Sequence, residues 1–145
     1  MRGILRSSVL LAGYVIVAAC GSDSTGPSGE SAAGNYTAVS FTTTGTAGQR
    51  DELVAGSTVT LNLAANGTTS GQLHIAPTNT NPAVDVDLAG TWHQNGNLVT
   101  FTQTSDSFIR DLQLTLEDDP VNGWVLVGDQ DFSNTNVKIT LKRVS

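Results

Sequence analysis

The sequence predicts an all-β domain over residues 34–145, arranged as an eight-stranded antiparallel up-and-down barrel. Three observations predict it. Apolar side chains alternate with polar ones over short stretches instead of recurring at helical spacing. Thr and Val fill those stretches, while Asn-Gly, Gly and Pro punctuate them. About 110 residues are enough for one core and too few for two. Short strands joined in sequence by tight turns form a meander, and closing the meander removes both exposed edges. A two-sheet immunoglobulin-like β-sandwich is the alternative arrangement of the same strands.

The first strand runs over residues 35–43. After it, residues 45–56 have a polar middle (Gln49, Arg50, Asp51, Glu52) leading into Leu53 and Val54, which reads as a helical turn or a lid. Residues 59–75 form a hairpin. A two-residue turn at Asn66-Gly67 would set Leu61 against Gln72 and point Leu73 outward. A three-residue loop, Ala65-Asn66-Gly67, with Gly67 left-handed in a bulge, instead pairs Val59 with Leu73, Leu61 with Gly71 and Leu63 with Thr69. The second register is predicted, because a one-residue slip flips every side chain to the wrong face.

Residues 84–101 give the clearest signal. Val84, Val86, Leu88, Gly90 and Trp92 share one face; Asp85, Asp87, Ala89, Thr91 and His93 share the other. A two-residue turn centred on Asn95-Gly96 sets Gln94 opposite Asn97, Trp92 opposite Val99 and Gly90 opposite Phe101. Residues 108–117 continue as a strand with Leu112, Leu114 and Leu116 inward, and strict alternation carries Arg110 onto that same core face. Residues 123–130 and 137–143, the latter with Val137, Ile139 and Leu141 inward, complete the eight.

Gly34-Asn35-Tyr36, Leu88-Ala89-Gly90-Thr91-Trp92, Val99-Thr100-Phe101 and Lys142-Arg143 together resemble the small bacterial lipocalin-like lipoproteins of the calycin group. Lipocalins carry Gly-x-Trp at the first of these positions, with the indole packed beneath a cation from the end of the barrel. The resemblance therefore implies that Tyr36 and Arg143 occupy those places. It also implies a cup for a small apolar ligand, although narrow eight-stranded barrels can equally be filled by their own side chains.

The N-terminus reads separately. Arg2 and Arg6, an uncharged apolar stretch over residues 9–17 and small residues before a cysteine make the three-part pattern of a secretory leader. The apolar run is about half of the roughly 20 residues that a membrane span needs. Val17-Ala18-Ala19-Cys20 resembles the lipobox of bacterial lipoproteins, which implies cleavage before Cys20 and diacylglyceryl transfer to its sulfur. Cys20 is the sole cysteine and has no disulfide partner. Residues 1–19 are thus expected to be a signal peptide, and residues 20–33 a lipidated cysteine followed by a flexible tether without large apolar side chains. Two or three acyl chains hold a protein firmly on a membrane. Gly21 is not the aspartate typical of inner-membrane retention, so the resemblance favours the outer membrane of the cell envelope.

Loss of the leader leaves five cations against thirteen acids, a formal charge of −8. Arg50, Arg110, Lys138, Lys142 and Arg143 are scattered, whereas nucleic-acid binders cluster their cations, so no nucleic-acid partner is expected. No enzyme is expected either. The chain has no Gly-x-Ser-x-Gly elbow, its sole thiol is committed to lipidation, and His74 and His93 lack a repeated ligand spacing. The acidic pairs Asp85/Asp87 and Asp129/Asp131 complete no calcium loop and read as outward charges. No cofactor or metal is expected.

The candidate ligand-binding residues are Trp92, Phe101, Arg110 and Trp124. The aromatics would line a cavity if one exists, and an inward arginine would hold a carboxylate. Arg110 has a structural alternative, an outward position paired with Asp106 or Asp111. Two functions stand open. One is a lipid-anchored module carrying a small apolar molecule. The other is a non-catalytic envelope module with a filled barrel that contacts another protein. An apolar-walled cavity of roughly 300 Å³ or more separates them.

Overall fold

The computed structural model describes residues 29–144. The stretch expected to be a leader (residues 1–19), the expected lipidation site Cys20 and the first part of the expected tether (residues 21–28) lie outside the described residues. In chain order the elements are β1 (Gly34–Gly45), β2 (Gly48–Asp51), β3 (Thr58–Leu63), β4 (Thr68–Ile75), β5 (Val84–Asp87), β6 (Gly90–Asn95), β7 (Leu98–Gln103), α1 (Phe108–Asp111), β8 (Leu114–Asp119), β9 (Gly123–Phe132) and β10 (Thr135–Val144).

These strands make a closed antiparallel barrel of eight staves, not two stacked sheets. Strands β5 and β6 both pair with β4 in one continuous register (Leu73↔Val86, Thr69↔Gly90), so they are one stave interrupted at residues 88–89. Strand β2 is a short arm folded back on β1. The ring closes where β1 pairs with β10 from Asn35↔Val144 to Thr44↔Asn136, with a bulge between Ala38 and Ser40. Closure leaves none of the long strands β1 and β10 as a free edge.

Period-two burial builds the core. Val59, Leu61 and Leu63 on β3, Leu114 and Leu116 on β8, and Val137, Ile139 and Leu141 on β10 all point inward and are buried. Eight staves enclose a space just wide enough for such side chains, and here they fill it.

The β3–β4 hairpin has the predicted register, Val59↔Leu73, Leu61↔Gly71 and Leu63↔Thr69. Its loop is the predicted one as well. The Gly67 amide donates to the Ala64 carbonyl (2.9 Å), Gly67 has φ +85°, and Ala64 then bonds Thr68 across the bulge.

The β6–β7 hairpin differs from expectation by two residues. Trp92 faces Phe101 in place of Val99, Gln94 faces Val99, and Gly90 faces Gln103 in place of Phe101. The turn residues are Gly96-Asn97, with Gly96 at φ +61°. With φ positive at Gly96 and not at Asn97, the turn is of the II′ kind, which suits the twist of the hairpin as well as the I′ turn that Asn95-Gly96 would make. A shift of two preserves the faces, so Trp92 and Leu88 still point inward. Gly90 is required by backbone approach and not by an aromatic ring: a Cβ there would lie 2.2 Å from the Thr102 carbonyl oxygen.

Residues 45–56 are the β2 arm followed by a single helical turn, one of the two forms expected there: the Ala55 amide donates to the Asp51 carbonyl (3.1 Å), and the Val54 amide to the Asp51 carboxylate (3.0 Å). One further expectation is corrected. Residues 108–117 are not one strand. Their first part is the single helical turn α1, and β8 begins only at Leu114. Asp106 and Ser107 break the strand pattern, the Arg110 amide donates to the Ser107 carbonyl (3.1 Å), and Arg110 pairs with Asp106 one turn back (2.9 Å). The turn plugs one end of the barrel. Ile109 is fully buried there, and Phe108 packs on Phe41 (ring centroids 5.4 Å apart) and edge-on to Phe132 (6.4 Å).

Candidate functional site

The up-and-down topology gives the barrel two chemically different ends. The proximal end is where the chain enters at β1, with the β3–β4, β6–β7 and β8–β9 turns and the end of β10. The distal end carries the β2 arm, α1, the loop of residues 76–83 and the β9–β10 turn.

A clasp closes the proximal end. Residues 30–33, the last of the stretch read as a tether, lie across it, and Ala32 has no exposed surface. The Ala32 amide donates to Gln94 Oε1 (2.8 Å), and Gln94 Nε2 donates to the Glu30 carbonyl (2.8 Å). Tyr36, buried at 2% exposure, donates its hydroxyl to the Ala32 carbonyl (2.8 Å). Arg143 ties the rest together. Its Nε donates to the Tyr36 hydroxyl (3.1 Å), its Nη1 pairs with Glu30 (2.9 Å), its Nη2 donates to the Ser31 carbonyl, and its guanidinium sits 5.6 Å from the Tyr36 ring centroid. Tyr36 and Arg143 therefore stand in the relation that the sequence resemblance implies. Burial pushes the Tyr36 phenol above its ordinary pKa even though the Arg143 hydrogen bond and charge pull the other way. Burial alone would lower Arg143, but its bonds to Tyr36 and Glu30 offset this and hold the guanidinium charged.

The distal end is bolted by a buried carboxylate. Glu52, at 4% exposure, accepts from Thr43 Oγ1 (2.7 Å) and Ser57 Oγ (3.1 Å) and lies 3.5 Å from Arg50 Nη1. Ser57 Oγ in turn accepts from the Ala76 amide (2.9 Å), and Arg50 Nη2 donates to the Pro77 carbonyl (3.1 Å). One acid thus joins β1, the turn after the β2 arm and the end of β4. The sequence carries no local signal for this network, because Thr43, Glu52 and Ser57 meet only once the arm folds back.

Trp92, Phe101 and Trp124 pack half-buried against the core. Trp92 and Phe101 face each other across the β6–β7 ladder, and the Trp92 indole N–H is satisfied by the Ala64 carbonyl (2.9 Å). Trp124 lies on β9, with β8 between it and that pair. Arg110 is not on the core face. It lies on the outer side of α1, bonded through Nε and Nη2 to Asp111 (2.9 and 2.8 Å) and through Nη2 to Asp106, because the helical turn rotates it away from the alternation of Leu112 and Leu114. Asp111 first and Asp106 second raise its pKa, and Arg110 lowers that of Asp111. Exposed ion pairs of this kind contribute little. Replacing Arg110 with alanine is therefore expected to leave the urea midpoint of unfolding unchanged within error, whereas removal of a core-facing charge with a buried partner would shift it clearly.

Two large clefts lie on the outside. One of about 610 Å³ runs over the outer face of β7, β8 and β9, lined by Leu98, Thr115, Glu117 and Val127. The other, of about 580 Å³, opens at the distal end among Thr43, Arg50, Glu52, Thr78, Asn81 and Asn134. None of the fully buried core side chains walls either, and none of Trp92, Phe101, Arg110 and Trp124 lines them.

His74 pairs on the outer face with Asp85 (2.6 Å), and His93 is exposed. Asp129 and Asp131 both accept from Asn136 Nδ2 (2.9 Å each), and Lys138 lies 3.0 Å from Asp129. The Asn136 bond, then Lys138, holds the Asp129 carboxyl below its usual range. Among the described residues, no group of three or more His, Cys, Asp or Glu side chains is placed to hold a metal ion.

Compared with known proteins, the chain matches no family model, no curated protein and no solved structure.

Proposed function

We propose that the chain is a bacterial envelope lipoprotein, anchored by acylated Cys20, whose filled lipocalin-like barrel serves as a non-catalytic protein-interaction module. One observation carries the choice between interaction and transport. The barrel interior is occupied by its own side chains, with Ile109, Leu112, Leu114, Leu88, Val99 and Leu126 at 0–1% exposure, and both ends are closed. A carrier of a small apolar molecule needs an apolar cavity of about 300 Å³ or more, and the two large clefts described above lie on the outer surface instead. The anchor rests on the Val17-Ala18-Ala19-Cys20 motif and on the absence of any other cysteine.

A carrier remains the second reading because of two atoms. Gln103 Oε1 at the end of β7 and Ser107 Oγ just before α1 are buried without a hydrogen-bond partner. Buried polar atoms left unpaired are uncommon and costly, and a mainly apolar ligand that carries one hydroxyl or amide group, entering past α1, would supply the missing partner.

The two halves of the proposal are tested apart. Expressed from its first residue in a bacterium, the chain is expected to lose its leader and gain the mass of a diacylglyceryl group at Cys20. The Cys20→Ser variant should leave the membrane fraction for the soluble one. Wild-type protein without lipid mass would remove the anchor. Native mass spectrometry of the chain from Cys20 onward is expected to find no co-purifying small molecule. A stoichiometric apolar ligand would replace the interaction reading with the carrier one.

A further inference from the structure

The clasp does more than close the barrel: it fixes where the N-terminal chain leaves the domain. We infer that the barrel stands end-on to the lipid surface, with its proximal end toward the bilayer and its distal cleft directed away from it. The inference rests on the proposed attachment at Cys20, and its geometric part comes from residues 30–33.

Two points on the proximal rim hold that exit. Glu30 is gripped through its carboxylate by Arg143 at the end of β10, and through its carbonyl by Gln94 at the end of β6. Ser31 is held by Arg143, and Ala32 by Gln94 and Tyr36. The root of the tether is therefore Glu30 on the rim. Nine residues, ten chain steps, lie between Cys20 and Glu30. A Gly- and Ser-rich chain of that length has a root-mean-square reach of about 18 Å. Strands the length of β1 and β10, tilted as in an eight-stranded barrel, stand about 25–30 Å tall. The tether is thus shorter than the body it carries, so a root at one end keeps that end near the lipid.

Surface apolarity alone does not choose an end. Val121, 84% exposed in the β8–β9 turn, is proximal, and Val54, equally exposed after the β2 arm, is distal. The clasp decides between them. It leaves Val121 and the end of β10 facing lipid, and it presents the distal cleft, with Arg50, Thr78, Asn81 and Asn134 on its walls, to whatever the domain meets in solution.

The orientation is testable without relying on cellular lipidation. The chain from Cys20 to Ser145 contains every described residue and one thiol, so it can be coupled through Cys20 to a maleimide lipid in phosphatidylcholine nanodiscs. Nitrogen-15 amide spectra are then recorded with a gadolinium chelate on the lipid headgroups. Relaxation enhancement is expected to be strong at Val121, Asn122 and Gly96, and more than about tenfold weaker at Thr80, Asn81 and Asn134, a barrel height away. Uniform enhancement, or a gradient of opposite sense, would overturn the inference. A Glu30→Gln, Gln94→Ala double variant, checked for an intact barrel by its own amide spectrum, moves the root only to Gly34 on the same rim and lengthens the reach to about 21 Å, so the gradient should weaken and keep its sense. A gradient unchanged in steepness would mean that the clasp does not restrict the orientation. Because attachment is chemical here, absence of lipid on the cellular protein would refute the anchor alone and leave this result standing.

Discussion

Replacing Gly71 with alanine is expected to destabilise the barrel by about 3–5 kcal/mol, more than any single surface change in the domain. Gly71 faces Leu61 in the β3–β4 ladder and has φ +143°, a backbone region that L side chains rarely adopt. A Cβ there would lie 2.2 Å from the Thr60 carbonyl oxygen and 3.0 Å from Leu61 Cα. Those neighbours are backbone atoms, which cannot rotate aside. Nor can β4 retreat, because on its other side the Gly71 carbonyl accepts from the Leu88 amide at 3.0 Å. Strain and overpacking each contribute about 1–3 kcal/mol at such sites, against a total stability of about 5–15 kcal/mol for a domain of this size. Urea unfolding of the variant should show a much lower midpoint. Gly48→Ala is the control: its φ is also positive, but nothing lies within 4 Å of its Cβ position, so only the strain part is expected. Equal losses in the two variants would mean that the close approach of β3 and β4 does not matter.

The same hairpin illustrates what the sequence states openly. Val59, Leu61 and Leu63 alternate without interruption on β3, and of the two loop lengths only one also puts Leu73 of β4 inside, so face and register follow together. Around Trp92 the pattern constrains less. Registers two residues apart bury the same faces, and Asn95-Gly96-Asn97 offers two adjacent turn centres, so the pairing of Gly90 needed the backbone geometry to be known. Arg110 shows a different limit. A four-residue helix is too short to have a readable period, and the Leu112, Leu114 and Leu116 alternation extends backward into it by inertia unless Asp106 and Ser107 are given weight as chain breakers. The Glu52 bolt and the Gln94 grip on Ala32 were illegible for a third reason. Their members lie far apart in the chain or belong to polar runs that look solvated, and only the closed ring brings them together. Tyr36 and Arg143 were legible through resemblance, since the ends of the first and last strands must meet when the barrel closes.

That meeting point supports the second large effect. Tyr36→Ala is expected to cost about 3–5 kcal/mol, because it removes a buried aromatic ring and leaves a cavity at the proximal end. Tyr36→Phe separates the ring from the hydroxyl. The ring and its stacking under Arg143 remain, but the Ala32 carbonyl loses its donor and Arg143 Nε loses its acceptor. Water can replace the half-buried bond of Arg143, but the Ala32 carbonyl is buried and is left without its donor, so the global loss should be about 1–3 kcal/mol. The local loss should be larger in kind. Ala32 is held by only two bonds, one from Tyr36 and one to Gln94, and with the first gone residues 30–33 are expected to open more often than the barrel unfolds. Hydrogen exchange at the Ala32 amide, which the Gln94 bond protects in the wild type, reads this directly. In Tyr36→Phe it should quicken well beyond what the change in global stability predicts, while Leu126 and Ile139, deep in the core, should change only with global stability. Exchange that quickens equally at all three would place the phenol's contribution in the barrel as a whole. The clasp would then be a consequence of folding and not a latch with an equilibrium of its own.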